Sequence, residues 1–137
     1  MLFRSPTSDE YGIGNVVWSP LAMGILSGKY TDAAHPPAGT RAASGAREMM
    51  EDYFTQPVLD AVQRLQPLAT ELGISMSQLA LAWVLRQPRV TSAIVGATKV
   101  AHVEDNVAAA DLRIDEAVFL RMSEILEPVT PFEAYTS

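Results

Sequence analysis

Two places in the sequence combine a lone cation with main chain freed by glycine, and both suit a phosphate. In residues 15–30 (NVVWSPLAMGILSGKY), Gly24 and Gly28 let the backbone approach a ligand closely, and Lys29 follows directly. In residues 94–106 (IVGATKVAHVEDN), Gly96 interrupts the chain just ahead of Lys99. His102 and Asn106 are four apart and Asp105 is three from His102, a spacing that gathers three polar side chains on one helix face. Each pattern also has a plainer reading. A Ser-Pro turn with two glycines serves as a connector, and a polar helix face is ordinary when Val103 and Val107 turn inward.

The flanking segments supply the elements that must position these groups. Val16, Val17 and Trp18 have the composition of a strand buried on both faces, broken at Ser19-Pro20. Residues 90–95 read as a second short buried strand ending at Gly96, with a helix starting near Thr98 or Lys99. Such a strand, turn and helix aim free N–H groups and the positive end of the helix dipole past the strand's C-terminal end, which is a mechanical reason to receive a phosphate. Between the strands, Val58, Val62, Leu65, Ala69 and Leu72 recur at helical spacing, with a kink or restart expected at Pro67. Gly73 ends that segment, and Ser75 with Gln78 forms a capping box. The helix that follows (MSQLALAWVLRQ) is apolar nearly all round and so belongs in the core, where Trp83 packs with its N–H on a buried acceptor. Residues 31–55, with paired prolines and no sustained period, read as a long surface loop. A closing helix over residues 116–126 puts Val118, Met122 and Ile125 on one face and stops at Pro128. The alternation is α/β, and two strands joined through a helical crossover should be parallel neighbours.

Composition narrows the functional classes. The chain has 137 residues, is 48% apolar and carries a formal charge of −6, which suits one soluble domain and argues against non-specific nucleic-acid binding. Without cysteine there is no disulfide or thiolate chemistry, and the two histidines, His35 and His102, lack the neighbours of a metal-ligand set. No apolar run is long enough to cross a bilayer and no leader pattern opens the chain, so a cytoplasmic location is expected.

The strings WSPLAMGILSGKY and IVGATKVAHVEDN resemble the loop after the seventh strand, and the eighth strand with its nucleotide-binding helix, of aldo-keto reductases. The resembling branch includes the potassium-channel β subunits and many bacterial reductases. It implies that residues 1–137 are a single partial domain, the C-terminal part of a (β/α)8 TIM barrel, with about two or three parallel strands and covering helices. A whole barrel of that kind takes roughly 250 residues. The parts would be 1–14, the remnant of a preceding unit; 15–30, strand and cofactor loop; 31–55, long loop; 56–88, helices; 89–110, strand and nucleotide-binding helix; 111–127, closing helix; and 128–137, tail. Residues 1–10 resemble the family's sixth strand and a shortened helix, as if the chain began inside a family gene.

The resemblance also implies a cofactor, NADP(H) in preference to NAD. Trp18 would stack on the nicotinamide, and Ser19, Pro20, Leu21, Ala22, Met23, Lys29 and Arg41 would surround the pyrophosphate. Gly96 opens the adenosine site, where Thr98 and Lys99 would meet the 2′-phosphate and His102, Asp105 and Asn106 the adenine and ribose. His102 stands where glutamine or arginine is more frequent, so that face lacks arginine's permanent charge and fork. The family's catalytic aspartate, tyrosine, lysine and histidine lie on earlier strands, and Tyr11, Tyr30, Tyr53 and Tyr135 match none of them. The expectation is therefore a cofactor-binding part that needs a missing half-barrel, or another copy of itself, to cover its open strands. A non-catalytic nucleotide- or protein-binding module and a degenerate remnant are the alternatives.

Overall fold

The computed structural model describes residues 6–130, in which two short parallel strands meet a layer of helices. The expected strand remnant before residue 6 and the tail from 131 onward lie outside the described residues. In chain order the elements are α1 (Pro6–Glu10), β1 (Asn15–Trp18), α2 (Gln56–Gln63), α3 (Gln66–Leu72), α4 (Met76–Leu85), β2 (Val90–Ile94), α5 (Val100–Ala108) and α6 (Glu116–Leu126). Short 3-10 turns occupy residues 22–27, 41–43, 45–50, 109–111 and 127–129.

β1 and β2 pair in parallel, with Val16 opposite Ser92 and Trp18 opposite Ile94, after an irregularity between Asn15 and Val16. Close approach at that point requires Gly14, because a Cβ there would lie 2.5 Å from Thr91 Cγ2. Thr91 Oγ1 in turn donates to the Asn15 carbonyl at 3.1 Å.

Helix breaks fall where local chemistry demands them. Pro67 lacks an N–H and sits in the first turn of α3, so the helical segment divides at Arg64 and Leu65 and restarts at Gln66, as expected. Gly73, at φ 67°, takes the left-handed conformation that ends α3. Ser75 Oγ accepts from the Gln78 N–H at 3.0 Å while Gln78 Oε1 accepts from the Ser75 N–H at 3.0 Å, completing the capping box of α4.

The core lies between the helices and the segment after β1. Ile25, Tyr30, Met50, Phe54, Leu59, Val62, Leu65, Leu79, Phe119 and Met122 are buried together. Tyr30 and Phe54 meet edge to face at 4.9 Å. Met50 and Phe54 belong to the segment expected as a surface loop. That expectation is corrected: residues 41–50 form two 3-10 turns, and their buried side chains anchor the segment to the core.

Two further expectations fail. Neither strand is buried on both faces: Val16 is 61% exposed, Trp18 81% and Ile94 61%, because helices cover only one side of a two-stranded sheet. Trp83 packs against the core, but its indole N–H meets no acceptor among the described residues. Instead the Arg86 guanidinium lies 5.3 Å from the Trp83 ring and 5.1 Å from that of Phe119.

Ser75 also donates from Oγ to Asp105 Oδ2 at 2.8 Å, so one hydroxyl caps α4 and ties it to α5. Ser75→Ala is therefore expected to lower stability by about 1–2 kcal/mol in chemical denaturation, the usual cost of losing an N-cap residue.

Candidate functional site

Parallel pairing decides where the candidate residues go. With Trp18 opposite Ile94, both strands finish at the same end of the sheet, and the turns at Ser19 and Val95 leave side by side. In an open parallel sheet this C-terminal end is where ligands bind.

The first turn is strained. Ser19, Ala22 and Met23 have φ of 54°, 46° and 55°, a left-handed conformation that costs L residues roughly 1–2 kcal/mol each. Gly24 continues the run at φ 98°. Within the turn the Ala22 N–H donates to the Ser19 carbonyl and the Gly24 N–H to the Leu21 carbonyl, both at 2.9 Å. Strain of this kind clusters at ligand sites, where the surrounding structure holds it in place.

Lys29 comes back over the same turn. A Cβ added to Gly24 would lie 2.9 Å from Lys29 Nζ, and that ammonium is 5.1 Å from the Tyr30 ring centroid. The chain on either side of Lys29 is held from α2: Gln63 Nε2 donates to the Gly28 carbonyl at 2.9 Å and to the Tyr30 carbonyl at 2.9 Å. Gln56, two turns of helix earlier, reaches further along the loop: it donates to the Thr31 carbonyl and accepts from the Ala33 N–H, both at 3.0 Å. The two glutamines are invisible as site residues in the sequence, since each contact spans more than twenty positions.

At the second turn, Gly96, Thr98 and Lys99 are exposed, and Lys99 precedes the first residue of α5 without a side-chain cap. The helix thus starts where expected, with Lys99 as its N-cap and Val100 as its first residue. His102 is exposed, while Asp105 and Asn106 are half-buried. Asp105 faces the capping box, accepting from Ser75 Oγ with its carboxylate and from Gln78 Nε2 with its carbonyl at 3.2 Å. The plainer reading of this helix is also corrected, because Val103 and Val107 are 49% and 64% exposed rather than turned inward.

Arg41 is exposed at the start of its 3-10 turn. Among the described residues Lys29, Arg41 and Lys99 make no ion pair, in a chain with an excess of carboxylates. His35 pairs with Asp32, its Nδ1 2.9 Å from Oδ2. That hydrogen bond, with the Ala34 N–H, holds the Asp32 carboxyl below its ordinary pKa. No group of three His, Asp or Glu that could hold a metal occurs among the described residues.

Fold and site together define an α/β unit whose parallel strands deliver two cation-bearing turns to one sheet end. The model of the aldo/keto reductase family matches residues 5–127, and the chain belongs to that family. A probable voltage-gated potassium channel subunit beta of Arabidopsis thaliana is 38% identical over 107 residues, covering 78% of this chain and 33% of the relative. A putative subunit of the same description from Schizosaccharomyces pombe is 36% identical over 133 residues, covering 93% of this chain and 38% of the relative. An L-glyceraldehyde 3-phosphate reductase of Escherichia coli K12 is 34% identical over 104 residues, covering 75% of this chain and 30% of the relative. The chain thus spans about a third of the length of these relatives.

If the turn at Ala22 is strained, glycine there should be tolerated unusually well. Ala22→Gly is expected to leave stability unchanged or raise it by up to about 1 kcal/mol, while Ala101→Gly on the exposed face of α5 lowers it by about 1 kcal/mol. Paired urea denaturation curves measure the contrast.

Proposed function

We propose that this chain is the cofactor-binding part of an NADP(H)-dependent aldo-keto reductase, in which it forms the C-terminal portion of the barrel. The observation that carries the reading is the meeting of two phosphate-type turns at one sheet end, with three cations that no carboxylate neutralises among the described residues. The residues fit the group. Lys29, folded over the strained turn at 19–24, and Arg41 supply charge for a pyrophosphate. Trp18, 81% exposed at the end of β1, has a free ring face for the nicotinamide. Thr98 and Lys99 would take the 2′-phosphate at the entry to α5, with His102 and Asn106 along the adenosine. Asp105 contributes to the ribose through the carboxylate oxygen that Ser75 leaves free. NADP rather than NAD rests on Lys99, since the neutral form of His102 adds no charge.

Bound nicotinamide would supply a hydride to a carbonyl carbon. Protonating the oxygen needs an acid within hydrogen-bond reach, and no tyrosine among the described residues serves. Tyr30 is fully buried, and Tyr11 and Tyr53 lie in segments outside the two strand-end turns. Carbonyl reduction therefore belongs to a larger assembly in which other strands bring the acid. Among the described residues the two-stranded sheet has unpaired edges and an exposed apolar face, where such strands, or a second copy, would sit.

A second reading, a nucleotide-sensing or protein-binding module without chemistry, draws on the relatives described as channel subunits. It shares the cofactor site and differs only in turnover. A chain that binds NADPH and, once complemented, still reduces no carbonyl would favour it.

Titration with NADPH, followed by energy transfer from tryptophan, should show saturable binding that Lys29→Ala weakens at least about tenfold, the effect of losing one charge-assisted contact. Binding that is absent, or indifferent to that substitution, defeats the reading. Light scattering at micromolar concentration should give the mass of a dimer or larger; a one-chain mass with a native melting transition would refute the covering of the open edges.

A further inference from the structure

Lys29 is exposed and sits on a long, flexible stem, so nothing in its own side chain aims the ammonium at the turn. Three contacts from other parts of the chain do. Gln63, half-buried on α2, places one side-chain nitrogen 2.9 Å from the carbonyls of both Gly28 and Tyr30, the two residues flanking Lys29. Both partners are acceptors, which identifies the amide group as the end facing them and uses both of its hydrogens. The resulting staple fixes the peptide units on either side of the lysine. Gly24 leaves the space into which the ammonium folds, where any Cβ would meet Nζ at 2.9 Å and Cε at 3.2 Å. The Tyr30 ring, buried and fixed against Phe54, gives that ammonium an aromatic face at 5.1 Å.

We propose that Gln63 is the positioning residue for Lys29: its doubly donating amide, spanning the Gly28 and Tyr30 carbonyls, holds the ammonium over the strained turn ready for a phosphate. The proposal deepens the cofactor reading and rests on it for the identity of the anion, whereas the aim of Lys29 is testable without any ligand. Gln63 donates to the main chain on either side of Lys29 and not to a side chain, so its effect must pass through residues 28–30. Gln56 provides a matched comparison, an α2 glutamine that tethers Thr31 and Ala33 instead.

The chain contains two lysines, Lys29 and Lys99, so brief acetylation read by mass spectrometry gives a ratio with an internal reference. In Gln63→Met, release of Lys29 from the Tyr30 ring should raise its labelling relative to Lys99 by about twofold to fivefold, the range of an exposed cation–π contact. Gln56→Met should leave the ratio unchanged. NADPH affinity should fall about tenfold in Gln63→Met, and the substitution should cost nothing further in a Lys29→Ala background, because a positioning residue acts only through the group it positions. Gln63→Glu, of the same shape but with an oxygen facing both carbonyls, should behave like Gln63→Met. An unchanged labelling ratio in Gln63→Met, or additive losses of affinity in the double variant, overturns the proposal. If the parent chain binds no NADPH, the cofactor reading fails and the labelling ratio alone decides the role of Gln63.

Discussion

Everything at the candidate site depends on the register between two strands of four and five residues. Parallel pairing of Trp18 with Ile94 makes the strands end together, and that coincidence brings residues about seventy positions apart to a common edge. A short sheet cannot hold such an alignment by its ladder alone. Its register is supported by the close fit of Gly14 against Thr91, by the Thr91 hydroxyl on the Asn15 carbonyl, and by helices packed on one side.

The helical layer then serves the turns more than the strands. α4 is apolar and central, and its capping serine reaches α5 through Asp105, linking the entry of the buried helix to the proposed adenosine helix. α2 reaches the other turn through Gln63 and Gln56. Each turn is thus tied by side-chain amides and hydroxyls to a helix that the core already holds rigid. Such an arrangement suits a site whose backbone is strained, since left-handed residues such as Ala22 and Met23 persist only where their surroundings over-determine them.

Exposure of Val16, Trp18 and Ile94, and of Val100, Val103 and Val107 on α5, follows from the same architecture. Helices cover one face of the sheet and one side of α5, and apolar groups on the opposite sides have no cover among the described residues. Exposed apolar surface of this extent is the physical reason to look for association, and it agrees with a chain that spans about a third of its relatives.

Where structure follows from neighbours along the chain, the sequence was enough. Pro67 restarting a helix, Gly73 ending it, Ser75 and Gln78 capping the next, and the closing helix at residues 116–126 all arise within a few residues of backbone chemistry, and all occur as read. The strings around Trp18 and Lys99 likewise carried the family, whose model matches residues 5–127. Burial was a different matter. β-branched and aromatic composition signals strand, but whether a strand has one covered face or two depends on what packs against it: Val16 and Trp18 have the composition of doubly buried residues, and their exposure is what the open strands of a partial barrel should show. Tertiary contacts also decided that Asp105 turns to Ser75, that the segment at 41–54 anchors in the core, and that Gln63 staples the flanks of Lys29. A hydrogen bond between residues thirty or more positions apart leaves no local trace, because the choice of partner is made by the packing of whole helices and not by the residues that share it.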